Sequence, residues 1–324
     1  MHRFLSSLAL IVFASSLFAE EITPPVHPDE AKILKDIIAV EGHSVEVAEV
    51  PGWAKGSVVN RLKEYGIEIT GLKSWGVQGK GKENKGLFLS CVHDANGRVL
   101  ALSGNGPWLR NDSLRALKGM PELRIIRVDH NGFLRNHPMA SLYSGTGFDA
   151  LKDSKLTEIK LTLGINDEGL EQAAKIKGLK SFTAVHSQVS DAGLKFFEGH
   201  PSLESFTVAE MGKVSQTALA SIAKMPKVTH VGFQEAFITY EGGFKHLLAM
   251  KGRIKEINLT MSVINEADLK RVQADHPDAK ILTIPPSEIV KRHIGVAQSL
   301  ARIATGEAGE ELKKSIAENK ASKK

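Results

Sequence analysis

Residues 156–170 read LTEIKLTLGINDEGL, and this stretch decides the fold. Leu156, Ile159 and Leu161 set an L-x-x-L-x-L frame, in which aliphatic side chains alternate as on a short strand with one buried face. Ile165, Asn166 and Asp167 then change the period. Asn166 is a helix-capping residue, Asp167 and Glu168 suit the positive end of a helix dipole, and Leu170, Ala173, Ala174 and Ile176 follow at helical spacing. One strand and one return helix therefore fit into about two dozen residues, too few to bury an apolar face alone.

The frame recurs. Its copies are Leu123/Ile126/Val128, Leu179/Phe182/Ala184, Leu203/Phe206/Val208, Val228/Val231/Phe233, Ile254/Ile257/Leu259 and Ala279/Leu282/Ile284, with a degenerate copy at Gly97/Leu100/Leu102. Successive starts are 26, 33, 23, 24, 25, 26 and 25 residues apart. The second signature recurs as VSDAGL from Val189, VSQTAL from Val214, ITYEGG from Ile238 and INEADL from Ile264, and Gly178, Pro201, Pro226, Gly252 and Pro277 close most turns. An ordinary α/β sheet with helical crossovers needs longer and less regular spacing. Stacked repeats bury a shared core, and eight parallel strands span about 34 Å.

On these motifs the chain resembles leucine-rich repeat proteins, over roughly residues 97–285. The aliphatic-polar-Asp-x-Gly-Leu signature is similar to the ribonuclease-inhibitor-like and cysteine-containing-like subclasses. The resemblance implies an α/β solenoid, with a curved parallel sheet on the concave side, helices on the convex side and helical caps. It also implies Asn, Cys or Thr at the ninth position of each frame. Asn105 and Asn131 fit, but Gly164, Ser187, Ala236 and Ser262 do not, so the later turns must satisfy their backbone without an asparagine ladder.

The ends read differently. Residues 1–19, MHRFLSSLALIVFASSLFA, have a basic start, an uncharged run from Phe4 to Phe18 and a small residue for cleavage. That is a secretory signal pattern, too short for a span of about 20 residues, and it predicts an exported chain, periplasmic, cell-surface or secreted. Residues 20–96 are expected to form an N-terminal cap, with a helix opening at Pro28, a helix over 58–65, a strand near 67–69, an exposed loop over 76–86, and a hairpin turning at Asp94 to Gly97. Residues 286–324 are expected as a helical tail, with one helix from Glu288 to about Ile303 and a second from Glu307 to Asn319.

Little of the sequence suggests chemistry. The 324 residues carry one cysteine, which excludes a disulfide framework and a thiolate metal cluster within one chain, and a net charge of +5, too mild to indicate nucleic acid. Gly76-x4-Gly81-Lys82 mimics a phosphate loop but continues with Glu83 instead of Ser or Thr. Cys91 and His93 share a strand face, the one pairing that suggests a hydrolase-like nucleophile. The expectation is no cofactor and no metal, with His130, His186 and His230 on separate strands. What remains is the outward face of the sheet. Arg127, Lys160, Thr183, Thr207 and Asn258 form one column. His230 stands in the next, and Asp129, His130, His186 and Gln234 lie at or just past strand ends. The 33-residue copy carries a long apolar loop, NGFLRNHPMASLYSGTGF (131–148), with Phe133 and Tyr143 as candidate anchors. The surface is mixed in charge, rich in hydroxyls and poor in the aromatic platforms of single-strand binders. It suits a protein or peptide partner. A structural envelope role that oligomerises through the tail is the other non-catalytic reading.

Overall fold

The computed structural model describes residues 25–40, 45–47, 52–68, 70–79, 88–105, 109–129, 143–162, 164–209 and 213–322. The signal pattern, the loop core at 131–142 and the stretch 80–87 lie outside them.

Among the described residues eleven strands form one sheet whose spatial order is the chain order. The first four, β1 (Val45–Val47), β2 (Lys73–Gly79), β3 (Phe88–His93) and β4 (Val99–Asn105), pair antiparallel. From β4 onward the pairing is parallel, through β5 (Ile125–Asp129), β6 (Glu158–Thr162), β7 (Ser181–Val185), β8 (Ser205–Ala209), β9 (His230–Gln234), β10 (Glu256–Asn258) and β11 (Lys280–Leu282). The frames read in the sequence are adjacent rungs: Leu102, Ile126, Ile159, Phe182, Phe206, Val231 and Ile257 align across seven consecutive strands. All are buried, and Phe182, Phe197 and Phe206 pack ring on ring at 4.9 to 5.6 Å in the middle of that row. The architecture is an α/β leucine-rich repeat solenoid.

The convex side mixes short α-helices with 3-10 turns. The helices are α3 (Asn111–Ala116), α4 (Asp167–Ala174), α5 (Asp191–Leu194), α6 (Leu219–Ala223) and α7 (Glu266–Asp275). In three successive repeats the second signature explains where the helical turn starts. Asn166 Oδ1 accepts from Gly169 N at 3.0 Å, and the hydroxyls of Ser190 and Ser215 accept from Ala192 N and Thr217 N. The acid after each cap then reaches the next repeat. Asp167 accepts from Ser190 N (2.8 Å) and Oγ (2.6 Å), and Asp191 accepts from Ser215 in the same way. Gln216 continues the row by accepting from Thr239 N at 2.9 Å. This convex-edge ladder, with Ser262 Oγ bridging Phe233 O and Ala236 N, does the joining that ninth-position asparagines do not.

Both ends are capped. At the start, α1 (Pro28–Val40) turns Leu34, Ile37 and Ile38 into the core. Its fully buried Glu30 accepts from Val99 N (2.7 Å) and Arg98 Nη1 (2.9 Å), welding the helix to β4. At the finish the expected single helix over 288–303 is two, α8 (Pro286–Arg292) and α9 (Ile294–Leu300), because His293 leaves helical geometry and its Nδ1 caps Val296 N. Together with α10 (Gly306–Ala321) they enclose Val263, Ile289, Leu300 and Leu312 in a separate apolar cluster. The expected strand at 67–69 is absent from residues 67–68, and the expected loop begins later than 76. Trp75 and Val77 alternate inward opposite Cys91 and Leu89, so β2 runs to Gly79.

Candidate binding face

The parallel register places the outward side chains in two straight columns. One runs Ser103, Arg127, Lys160, Thr183, Thr207, Gly232, Asn258 and Leu282; the other runs Ala101, Ile125, Glu158, Ser181, Ser205, His230, Glu256 and Lys280. The face they form is not uniform.

Its first part is covered. Helix α2 (Gly52–Glu64) lies across it, and Val58 and Leu62 form a small apolar cluster with Val92, Leu100, Ala101 and Ile125, separate from the main core beneath the sheet. Ile125 is 0% exposed, between Ala101 and Glu158 in its column. At the tip of the helix Glu158 is held from three sides. Arg127 donates through Nε and Nη2 to its Oε1 (3.1 and 2.8 Å), Arg61 Nε stands 3.2 Å from Oε2, and Tyr65 donates its hydroxyl to Oε2 at 3.3 Å. Burial pushes the Tyr65 hydroxyl well above the usual phenol range, and the neighbouring carboxylate adds to the shift. Lys180 Nζ sits 5.7 Å from the centre of the Tyr65 ring. Arg127, expected as an outward contact, is thus largely buried in an ion pair.

The second part is open. Lys160 is exposed, and Thr183, Ser205, Thr207 and Asn258 are half-buried. Thr207 leans over Gly232, where a Cβ would stand 2.3 Å from its Oγ1, so the glycine makes room for the hydroxyl. Asn258 Oδ1 accepts from Thr260 N (3.1 Å) and Oγ1 (2.7 Å), which fixes the amide plane. Exposed His230 shares a 2.8 Å hydrogen bond with Thr229 Oγ1. Ser205, His230 and Glu256 stand side by side, the residue types of a hydrolytic triad. But His230 Nδ1 is turned to Thr229, and Glu256 pairs with Lys280 at 3.6 Å, so no proton relay is assembled.

Along the strand ends, His186 and Glu235 adopt left-handed backbone, φ 51° and 57°, as does Met261 at 65°. Gln234 and Glu235 line an open cavity of about 470 Å³ whose other walls include Val214, Gln216, Phe237 and Ile303. The side chain of Asp129, and His130 and Phe133, lie outside what the structure describes. Tyr143 corrects the expectation for the loop: its ring is 3% exposed and packs in the core beside Gly164, so it is no surface anchor. Cys91 is likewise buried, and burial pushes its thiol up to about 12, which leaves almost no thiolate at neutral pH. Among the described residues no group of three His, Cys, Asp or Glu side chains forms a metal set, and no helix is long and apolar enough to cross a membrane.

The sequence predicts a helix over 58–65 but not that it lies on this face, and so misses the roles of Arg61, Tyr65 and Lys180. A signal was present: an isoleucine at 125, outward and followed in its column by Glu158, Ser181, Ser205 and His230, needs a cover.

No protein-family model matches the chain, and no curated protein matches it. Among solved structures, internalin C2 from Listeria monocytogenes is similar at 14% identity and a TM-score of 0.36, over 57% of this chain and 81% of that one. Internalin F from the same organism is similar at 14% identity and a TM-score of 0.36, over 52% of this chain and 50% of that one. The assignment of the fold rests on the strand register and the repeated frames of this chain.

Proposed function

We propose that this protein is an exported, non-catalytic scaffold that grips a protein or peptide through the open part of its concave face. The observation that carries this reading is the division of that face. The columns from β6 to β10 present Lys160, Thr183, Thr207, His230 and Asn258 on a rigid frame, while Arg127 and Glu158 are consumed within the fold. A preformed surface loses little freedom on binding, which favours selectivity over a flexible one. Hydroxyls, one amide and one cation suit hydrogen bonding to peptide groups and a carboxylate. The signal pattern at residues 1–19 supports export, and the end of the 131–148 loop is held by buried Tyr143 and Phe148.

The test replaces Lys160 and His230 by Glu together and compares proteins captured from the native envelope and secreted fractions. Both side chains are exposed, so folding is unaffected. Loss of a reproducible partner supports the reading, and an unchanged set of captured proteins overturns it. Arg127 is unsuited to this test, because changing it removes two of the hydrogen bonds that hold buried Glu158.

A further inference from the structure

The cover on the first part of the concave face has the form of an occupant. Helix α2 belongs to the connection between β1 and β2, neighbouring strands that fix both of its ends to the sheet. None of its described side chains belongs to the main core. The sheet separates its contacts from that core, and its own cluster contains only six buried side chains. The connection leaves the helix through Gly66 and Gly71, both in left-handed backbone at φ 75° and 77°. Among the described side chains of α2 and the turn after it, Val58, Arg61, Leu62 and Tyr65 meet the sheet, the spacing of one helical face. What they meet is an apolar strip, Ala101 and Ile125, that ends on the carboxylate of Glu158.

We infer that α2 is a lid held over a helix-binding groove, and that the groove takes an amphipathic helix of a partner protein bearing apolar residues at i and i+4 and an arginine at i+3. This inference rests on the reading of the concave face as the gripping surface. Lifting the lid bares Ile125, Ala101, Val92 and Leu100 beside Glu158 and Arg127 and leaves the stacked repeats intact. A helix laying one apolar face in a hydrophobic groove is an established mode of recognition. The occupant must bring a cation, because Glu158 holds two arginines and only Arg127 stays with the sheet.

Hydrogen exchange on the full mature chain tests the lid. The amides of residues 53–65 are expected to exchange at least 100-fold faster than those of β6 to β8. Arg61→Glu, which sets like charges together, is expected to raise that rate a further 10-fold or more while β6 to β8 keep their protection. A labelled peptide of residues 52–66 then serves as the probe. It is expected to bind Arg61→Glu protein at least 10-fold tighter than wild type. The same peptide with proline at position 60 is expected not to bind. Leu62→Ala is a second, milder opener that keeps every charge. Protection of α2 equal to that of β6 to β8, peptide affinity indifferent to Arg61 and Leu62, or equal binding of the proline peptide each overturns the inference. Failure of the Lys160 and His230 capture experiment moves none of these readings.

Discussion

Glu158 shows how one position serves two elements. A carboxylate at 6% exposure is costly unless it is paired and hydrogen-bonded, and here two guanidinium groups and a phenol meet it. Glu158→Ala removes the carboxylate that Arg127 and Arg61 share, and we expect a loss of about 2–3 kcal/mol in urea unfolding. Lys160→Ala, two residues on but exposed, is expected to change stability by less than about 0.5 kcal/mol. His200 makes the second prediction at this scale. It is buried, its Nε2 donates to Ile176 O at 3.2 Å, and its Nδ1 accepts from Ser202 N at 3.4 Å. That arrangement needs the neutral ring, and burial lowers its pKa below the ordinary histidine value. The unfolded chain therefore binds the proton first. The contribution of His200 to stability is whole above about pH 6.5 and falls as the pH drops below it. Buried His276 is shifted in the same direction and by the same cause. Unfolding curves at pH 7.5 and 5.0 should converge in a His200→Gln/His276→Gln variant relative to wild type, and an unchanged gap would exclude these two rings as its source.

Among the elements, the convex helices are too short to stand by propensity; α5 has four residues. They are held by their caps and by the acid ladder between repeats. Asp167→Ala and Asp191→Ala each remove a helix-start acid together with two bonds to the next cap. Each should cost about 1 kcal/mol by chemical denaturation. Asp268→Ala, in a first turn with no such link, should cost measurably less. The frames, the return signatures, α1 and the hairpin at Asp94 to Gly97 could all be read from residue order, because each is set by neighbours within a few positions. The break at His293 and the strand at Lys73–Gly79 could not. The first depends on a side chain folding back on its own backbone, and the second on Trp75 and Val77 finding Cys91 and Leu89 on the neighbouring strand. For the binding face, the columns were legible because parallel register follows from equal frames. The lid was not, because Val58 and Ile125 are 67 residues apart and nothing local joins them.

Over the whole molecule, each repeat contacts its neighbours and little else, so damage should stay near where it is made. Phe206→Ala opens a cavity in the ring stack with Phe182 and Phe197 and should cost about 3–5 kcal/mol. Hydrogen exchange should show that loss most strongly in β7 to β9, with β4 and β5 nearly unchanged. A uniform loss from β4 to β11 would show that the array melts as one unit.

The last repeat carries a further consequence. Asn265 Oδ1 accepts from Ala308 N, tying the first turn of α10 to that repeat's own cap position. The terminal block therefore travels with the final coil, and copy number between the two ends is unconstrained by it. Duplicating residues 179–202 would move the terminus outward by one rung, about 4.8 Å. The molecule is a ruler with fixed end-stops, and its reach can be retuned by adding or removing whole marks.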